Sequence, residues 1–169
     1  PDSWGLTGKV ALVTGGGSAG DGIGNGRAAA ILLAKAGARV VVVDRDGGLA
    51  KRFNVTWTPT FLLFDGEERE HFRALGWLPP EDFKAQTETA IGLAHFNRGE
   101  YAPAKQSFQH VIEHHAKTHA APDALYWFGV TDYKATQQKE ILLQSWNKII
   151  DEYPQHPWAL KVSFIRPKK

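Results

Sequence analysis

The chain has 169 residues, enough for one domain with a real core or for two small units. Its apolar share of 43% and charged share of 22% describe a globular chain, and a net charge of +2 is too small to single out nucleic acid or an anionic membrane as a partner. With no cysteine, disulfides, thiolate metal sites and thiol redox chemistry are all excluded. Methionine is also absent and the chain opens Pro1-Asp2-Ser3, the composition expected of a processed, trimmed or deliberately assembled protein. No apolar run approaches the roughly 20 residues of a bilayer span, and no signal-peptide pattern opens the chain. A soluble, cytoplasmic protein without membrane or nucleic-acid partners is expected. Arg166-Pro167-Lys168-Lys169 reads as a solvated tail.

Lys9-Val10-Ala11-Leu12-Val13 is a short apolar run ending at glycines, the pattern of a strand buried on both faces. The turn Thr14-Gly15-Gly16-Gly17-Ser18-Ala19-Gly20-Asp21-Gly22-Ile23-Gly24 follows, and then an alanine-rich segment from Asn25 to Ala36 composed of strong helix formers. Gly37 predicts the helix stop, because it accepts a left-handed conformation. Arg39-Val40-Val41-Val42-Val43 predicts a second buried strand ended by Asp44, which completes a right-handed parallel βαβ unit. Glycines in the turn let backbone N–H groups approach a phosphate, and the following helix adds the positive end of its dipole.

This opening resembles the short-chain dehydrogenase/reductase family, through Leu6-Thr7-Gly8-Lys9-Val10-Ala11-Leu12-Val13-Thr14-Gly15 and then Gly22-Ile23-Gly24. The family's Thr-Gly-x-x-x-Gly-Ile-Gly is stretched here by Ser18-Ala19-Gly20-Asp21, and the resemblance ends near residue 46. It implies a Rossmann phosphate loop in which Gly15, Gly17, Ser18, Gly22, Ile23 and Gly24 hold the pyrophosphate of a dinucleotide. Asp44 would accept the adenosine ribose hydroxyls, favouring NAD over NADP, a preference that Arg45 beside it blurs.

Beyond Asp44 the pattern changes. Leu49-Ala50-Lys51-Arg52-Phe53-Asn54-Val55 predicts a helical turn, Phe61-Leu62-Leu63-Phe64 a strand, Asp65-Gly66 a turn, and 68–74 a strand pairing back as a hairpin before Gly76. With Thr58-Pro59-Thr60 ahead of the first of these strands, the segment resembles the C-terminal half of a thioredoxin-like domain, which implies a cis proline at Pro59. A thioredoxin core also begins strand, helix, parallel strand. The two resemblances therefore imply one mixed sheet in the order 2-1-3-4, with the glycine-rich turn at the thioredoxin active-site position, facing Thr58-Pro59. The thioredoxin strand and helix that usually come first are missing, so one sheet face is covered only by 49–54 and Trp4. An apolar patch left there would promote a homodimer.

Pro79-Pro80-Glu81-Asp82 opens a helix, since proline is tolerated and acidic residues are favoured in a first turn. That helix is expected to run to Asn97. From Ala90 the chain resembles tetratricopeptide repeats, through Ala90-Ile91-Gly92-Leu93-Ala94-His95-Phe96-Asn97-Arg98-Gly99-Glu100-Tyr101, Ala104 and Phe108. A degraded second copy follows about 37 to 38 residues later, somewhat longer than the ~34 of the standard repeat, with Gly129 matching Gly92, Tyr133 matching Phe96 and Trp146 matching Phe108. A final helix is expected over 158–165. The expected fold class is therefore α/β: a thioredoxin-like/Rossmann hybrid sheet over 1–86 (1–46 and 47–86), followed by an all-α repeat extension over 87–169.

Two further motifs carry chemistry on paper. Tyr101-Ala102-Pro103-Ala104-Lys105 has the Tyr-x-x-x-Lys spacing of the dehydrogenase acid/base pair, but Tyr101, Ala104 and Phe108 are repeat-packing positions and no serine segment or substrate sheet accompanies them. His110/His114 and His115/His119 are each spaced i,i+4 and could chelate a borderline metal. Without cysteine or a fixed carboxylate beside them, they read as a solvated polar face. Tyr126, Trp127, Phe128 and Trp146 read as core rather than as a peptide groove. The functional expectation is a non-catalytic, engineered-looking chimera that retains at most weak NAD, dinucleotide or phosphate binding, with no metal and no catalytic residues. The alternatives are an NAD(P)-binding oxidoreductase and a repeat module that binds peptides.

Overall fold

The computed structural model describes residues 6–7, 9–15, 25–43, 47–64 and 69–166. The chain divides into two compact units, Pro1–Leu78 and Pro79–Lys169. Among the described residues no helix is long and apolar enough to cross a membrane.

The first unit is a four-stranded mixed sheet, built from β1 (Val10–Thr14), α1 (Asn25–Lys35), β2 (Arg39–Val43), α2 (Gly47–Arg52), β3 (Thr60–Phe64) and β4 (Glu70–Leu75). Its order is β2-β1-β3-β4, with β1 parallel to β2 and antiparallel to β3, and β3 antiparallel to β4. This is the sheet expected from the sequence. Leu12 stands opposite Leu62, and both are buried with Phe64 beneath Phe53 and Val55, which follow α2. Arg73 on β4 donates to the backbone carbonyls of Phe53 (3.0 Å) and Asn54 (3.3 Å), fixing the end of that helical turn to the sheet. Gly37 has φ +94, and its N–H bonds the Ala34 carbonyl at 3.0 Å, so it closes α1 as expected. The Thr58–Pro59 bond is cis.

One expectation fails here. The valine run of β2 reads as a strand buried on both faces, yet Val41 and Val42 are 44% and 49% exposed. The reason lies in the sheet order. β2 is an edge strand with a single neighbour, whereas β3 lies between two strands and is buried throughout. A continuous apolar run signals burial only where strands flank it.

The second unit is a run of helices, each packed on the next: α3 (Pro80–Asn97), α4 (Tyr101–His114), α5 (Ala121–Thr136), α6 (Glu140–Glu152) and α7 (Pro157–Val162), ending in a 3-10 turn, Ser163–Ile165. Short connections such as Arg98-Gly99-Glu100 make successive helices antiparallel. Phe108 is fully buried among Ala85, Ala104, Val111, Ala120 and Ala124. Leu125, Ile149, Ala159 and Val162 form a second cluster, with the Tyr126 ring stacked on Trp158 at 4.0 Å and on Trp146 at 5.3 Å.

Small residues set the helix spacing. A Cβ at Gly92 would lie 2.6 Å from the Phe108 ring, and one at Gly129 would lie 3.1 Å from both the Ser145 Cβ and the Leu142 Cα. The second of these contacts corrects the expected repeat register. Ser145, not Trp146, faces Gly129 as Phe108 faces Gly92, while Trp146 turns to the Tyr126 stack. A serine at that position lets α6 approach α5 closely enough for backbone contact.

Asp123, in the first turn of α5, is pushed up to about 6 by burial, against the pull of the Lys161 ammonium. A carboxyl raised in the folded protein holds its proton more tightly there than in the unfolded chain. Stability therefore falls as pH rises from about 4 to about 6, and the loss stays constant above that window. Asp123→Asn is expected to be matched to the parent at pH ~4 and more stable by about 1 kcal/mol at pH ~7.5, after allowance for partial solvent screening. Urea melts at the two pH values check this, and an equal difference at both would contradict it.

Candidate functional site

The glycine-rich turn leaves the carboxyl end of β1. Of its proposed ligand-holding residues Gly15 is described, while Gly17, Ser18, Gly22, Ile23 and Gly24, together with Asp44, lie outside the described residues. Gly15 has φ +70, a left-handed conformation that glycine adopts without strain. A Cβ there would stand 3.2 Å from the Thr58 Cβ and 3.8 Å from the Pro59 Cα. The start of the turn and the cis-proline segment thus meet, as the sheet order requires. Their junction is pinned by Thr14, 4% exposed, whose Oγ1 accepts from the Thr60 N–H at 3.0 Å. The Thr60 hydroxyl donates to the Trp57 carbonyl at 2.6 Å, and the Gly76 N–H donates to the Pro59 carbonyl at 2.8 Å. Trp57 is 66% exposed, and the Thr58 side chain is exposed at the rim of this junction.

The Tyr-x-x-x-Lys motif sits at the start of α4. The Tyr101 ring lies 5.8 Å from that of Phe96. Lys105 pairs with the carboxylate of Asp132 on α5, and its ammonium stands 5.1 Å from the Phe128 ring centre. Both side chains are engaged in helix packing.

The histidines form a tighter arrangement than their i,i+4 spacing implies. His110 Nδ1 lies 2.7 Å from Glu88 Oε2, and the His110 ring is 4.3 Å from that of His114 and 5.9 Å from that of His115. Donor atoms of Glu88, His110 and His115 all lie within 4.8 Å of one another. The expectation that no carboxylate stands beside these histidines is therefore overturned. Glu88 is on α3, and a reading confined to one helix could not find it. The signal was the hairpin: Glu88 and His110 lie equally far in sequence from Gly99, at the turn between α3 and α4, and antiparallel packing sets such residues side by side.

No protein-family model matches this chain, and no curated protein matches it.

Proposed function

We propose that the chain is a non-catalytic chimera of engineered character, in which a Rossmann βαβ fragment completes a thioredoxin-like sheet ahead of tetratricopeptide-like helices, and that its ligand is a dinucleotide or phosphate at the turn after β1. The observation supporting this reading is the contact of Gly15, in a left-handed conformation, with Thr58 and cis Pro59. A turn that leaves a parallel strand towards a helix N-terminus is where an α/β sheet presents backbone N–H groups to a phosphate. The Thr58 side chain, exposed at the rim, offers one hydroxyl in addition. Lys105, the cation of the acid/base motif singled out in the sequence, is paired with Asp132 on the neighbouring helix.

Calorimetric titration with NAD, NADP and ATP tests the reading. Weak binding of NAD is expected, lost in Gly22→Val and reduced in Asp44→Ala, with ATP less sensitive to the second change. Absence of heat at millimolar ligand removes the proposal. Undiminished binding by both variants would move the affinity away from the turn.

A further inference from the structure

We propose that Glu88, His110 and His115 form a binding site for a divalent transition-metal ion, with Zn2+ the best match to the donors. This goes beyond the anion reading and is independent of it, because all three residues belong to the helical unit.

Two imidazoles and one carboxylate, with a fourth position left to water, make a donor set that Zn2+ accepts in tetrahedral geometry. Their donor atoms already lie within 4.8 Å of one another. The His110–Glu88 pair, now at 2.7 Å, must open and the wider pairs must close towards about 3.3 Å, the ligand–ligand spacing set by metal bonds of roughly 2.0–2.1 Å, adjustments of the size that side-chain rotation supplies. His110 is half exposed and can make that rotation, whereas the backbone on either side is fixed by buried Phe108 and Val111. The Gly92–Phe108 contact holds α3 and α4 in the register that sets Glu88 opposite His110.

The surroundings of His115 also favour a metal. Its side chain is 11% exposed, and its buried Nδ1 lies 3.3 Å from Glu81 Oε2 without making a hydrogen bond there. Imidazoles that bind metals turn the second ring nitrogen to a carboxylate, which fixes tautomer and orientation. Glu81 is suitably placed for that role, and Lys84 Nζ, 2.6 Å from Glu81 Oε1, steadies it from the other side. A metal held by the other ring nitrogen would leave His115 Nδ1 to Glu81. His114 and His119 contribute no donor to the group.

That last point makes the site separable from a surface chelate of i,i+4 histidines. The untagged chain of 169 residues is titrated with zinc chloride by calorimetry, and with cobalt chloride while the visible absorption of tetrahedral Co2+ is followed. One equivalent is expected to bind, with a rise in melting temperature. Glu88→Gln, which keeps the size of the side chain and a hydrogen bond to His110, is expected to weaken binding at least ~10–100-fold. His114→Ala and His119→Ala are expected to leave affinity unchanged. Circular dichroism verifies the helices, and His110→Asn, at a half-exposed position, replaces Glu88→Gln should that variant unfold. Parental affinity in Glu88→Gln, loss of binding in His114→Ala, or a titration that never saturates would overturn the proposal.

Discussion

Gly92→Ala is expected to destabilise the helical unit by about 2 kcal/mol, reversing the sign that this exchange has on an open helix face. In a solvated helix, alanine gains about 1 kcal/mol over glycine through backbone entropy. At Gly92 the added Cβ would lie 2.6 Å from Cε1 and 2.9 Å from Cδ1 and Cζ of Phe108. No approach under 3 Å is tolerated, so one partner must move. The Phe108 ring is 0% exposed and enclosed by Ala85, Ala104, Val111, Ala120 and Ala124, so it has no free volume to enter. The helices must separate instead, and overpacking at the upper end of the usual 1–3 kcal/mol, about 3 kcal/mol for so close an approach, less the ~1 kcal/mol propensity gain, leaves the net loss at about 2 kcal/mol. The cause is identified by a second change. In a Phe108→Leu background, itself less stable, Gly92→Ala should become neutral or favourable, because the ring edge that it meets is gone. Urea unfolding of the four proteins at one pH measures the coupling. Additive effects would show that the glycine is retained for another reason.

The same contact shows what could be read from the sequence and what could not. The strand order and the cis bond at Pro59 were what the two family resemblances implied, whereas the strands themselves and the left-handed turn at Gly37 followed from short apolar runs and punctuating glycines. The latter are properties of residues near one another in the chain. The exposure of Val41 and Val42, the substitution of Ser145 for an aromatic opposite Gly129, and the convergence of Glu88 on His110 are properties of pairs of elements. Each depends on register or on position within the sheet, which a single periodic segment does not encode. The glycine-rich turn was the most legible ligand signal, yet of its candidates only Gly15 falls among the described residues. The histidine site reads in the opposite way. Its spacing alone suggested a polar surface, and it gained a third donor only when two helices were laid side by side.

Lys105→Met is expected to cost about 2–4 kcal/mol of stability, which would make the lysine of the Tyr-x-x-x-Lys motif a structural group. Its partner Asp132 has a side chain only 5% exposed, whereas the Lys105 side chain is 34% exposed. Methionine keeps most of the aliphatic stem against Phe128 but leaves the carboxylate buried without its cation. Removing one partner of a buried pair costs about 3–5 kcal/mol, and the partial exposure of Lys105 reduces that figure. Replacing both charges avoids the stranded carboxylate, so Lys105→Met combined with Asp132→Leu should recover much of the loss. Tyr101→Phe, which preserves the ring against Phe96, should change stability by less than about 1 kcal/mol. A catalytic pair would behave in the reverse manner: both single variants would fold as the parent does and fail only in turnover. Thermal and urea melts of the four proteins separate the two cases. Parental stability in Lys105→Met would return the motif to the list of acid/base candidates, whereas its loss together with recovery in the double variant assigns the lysine to holding α5 against α4.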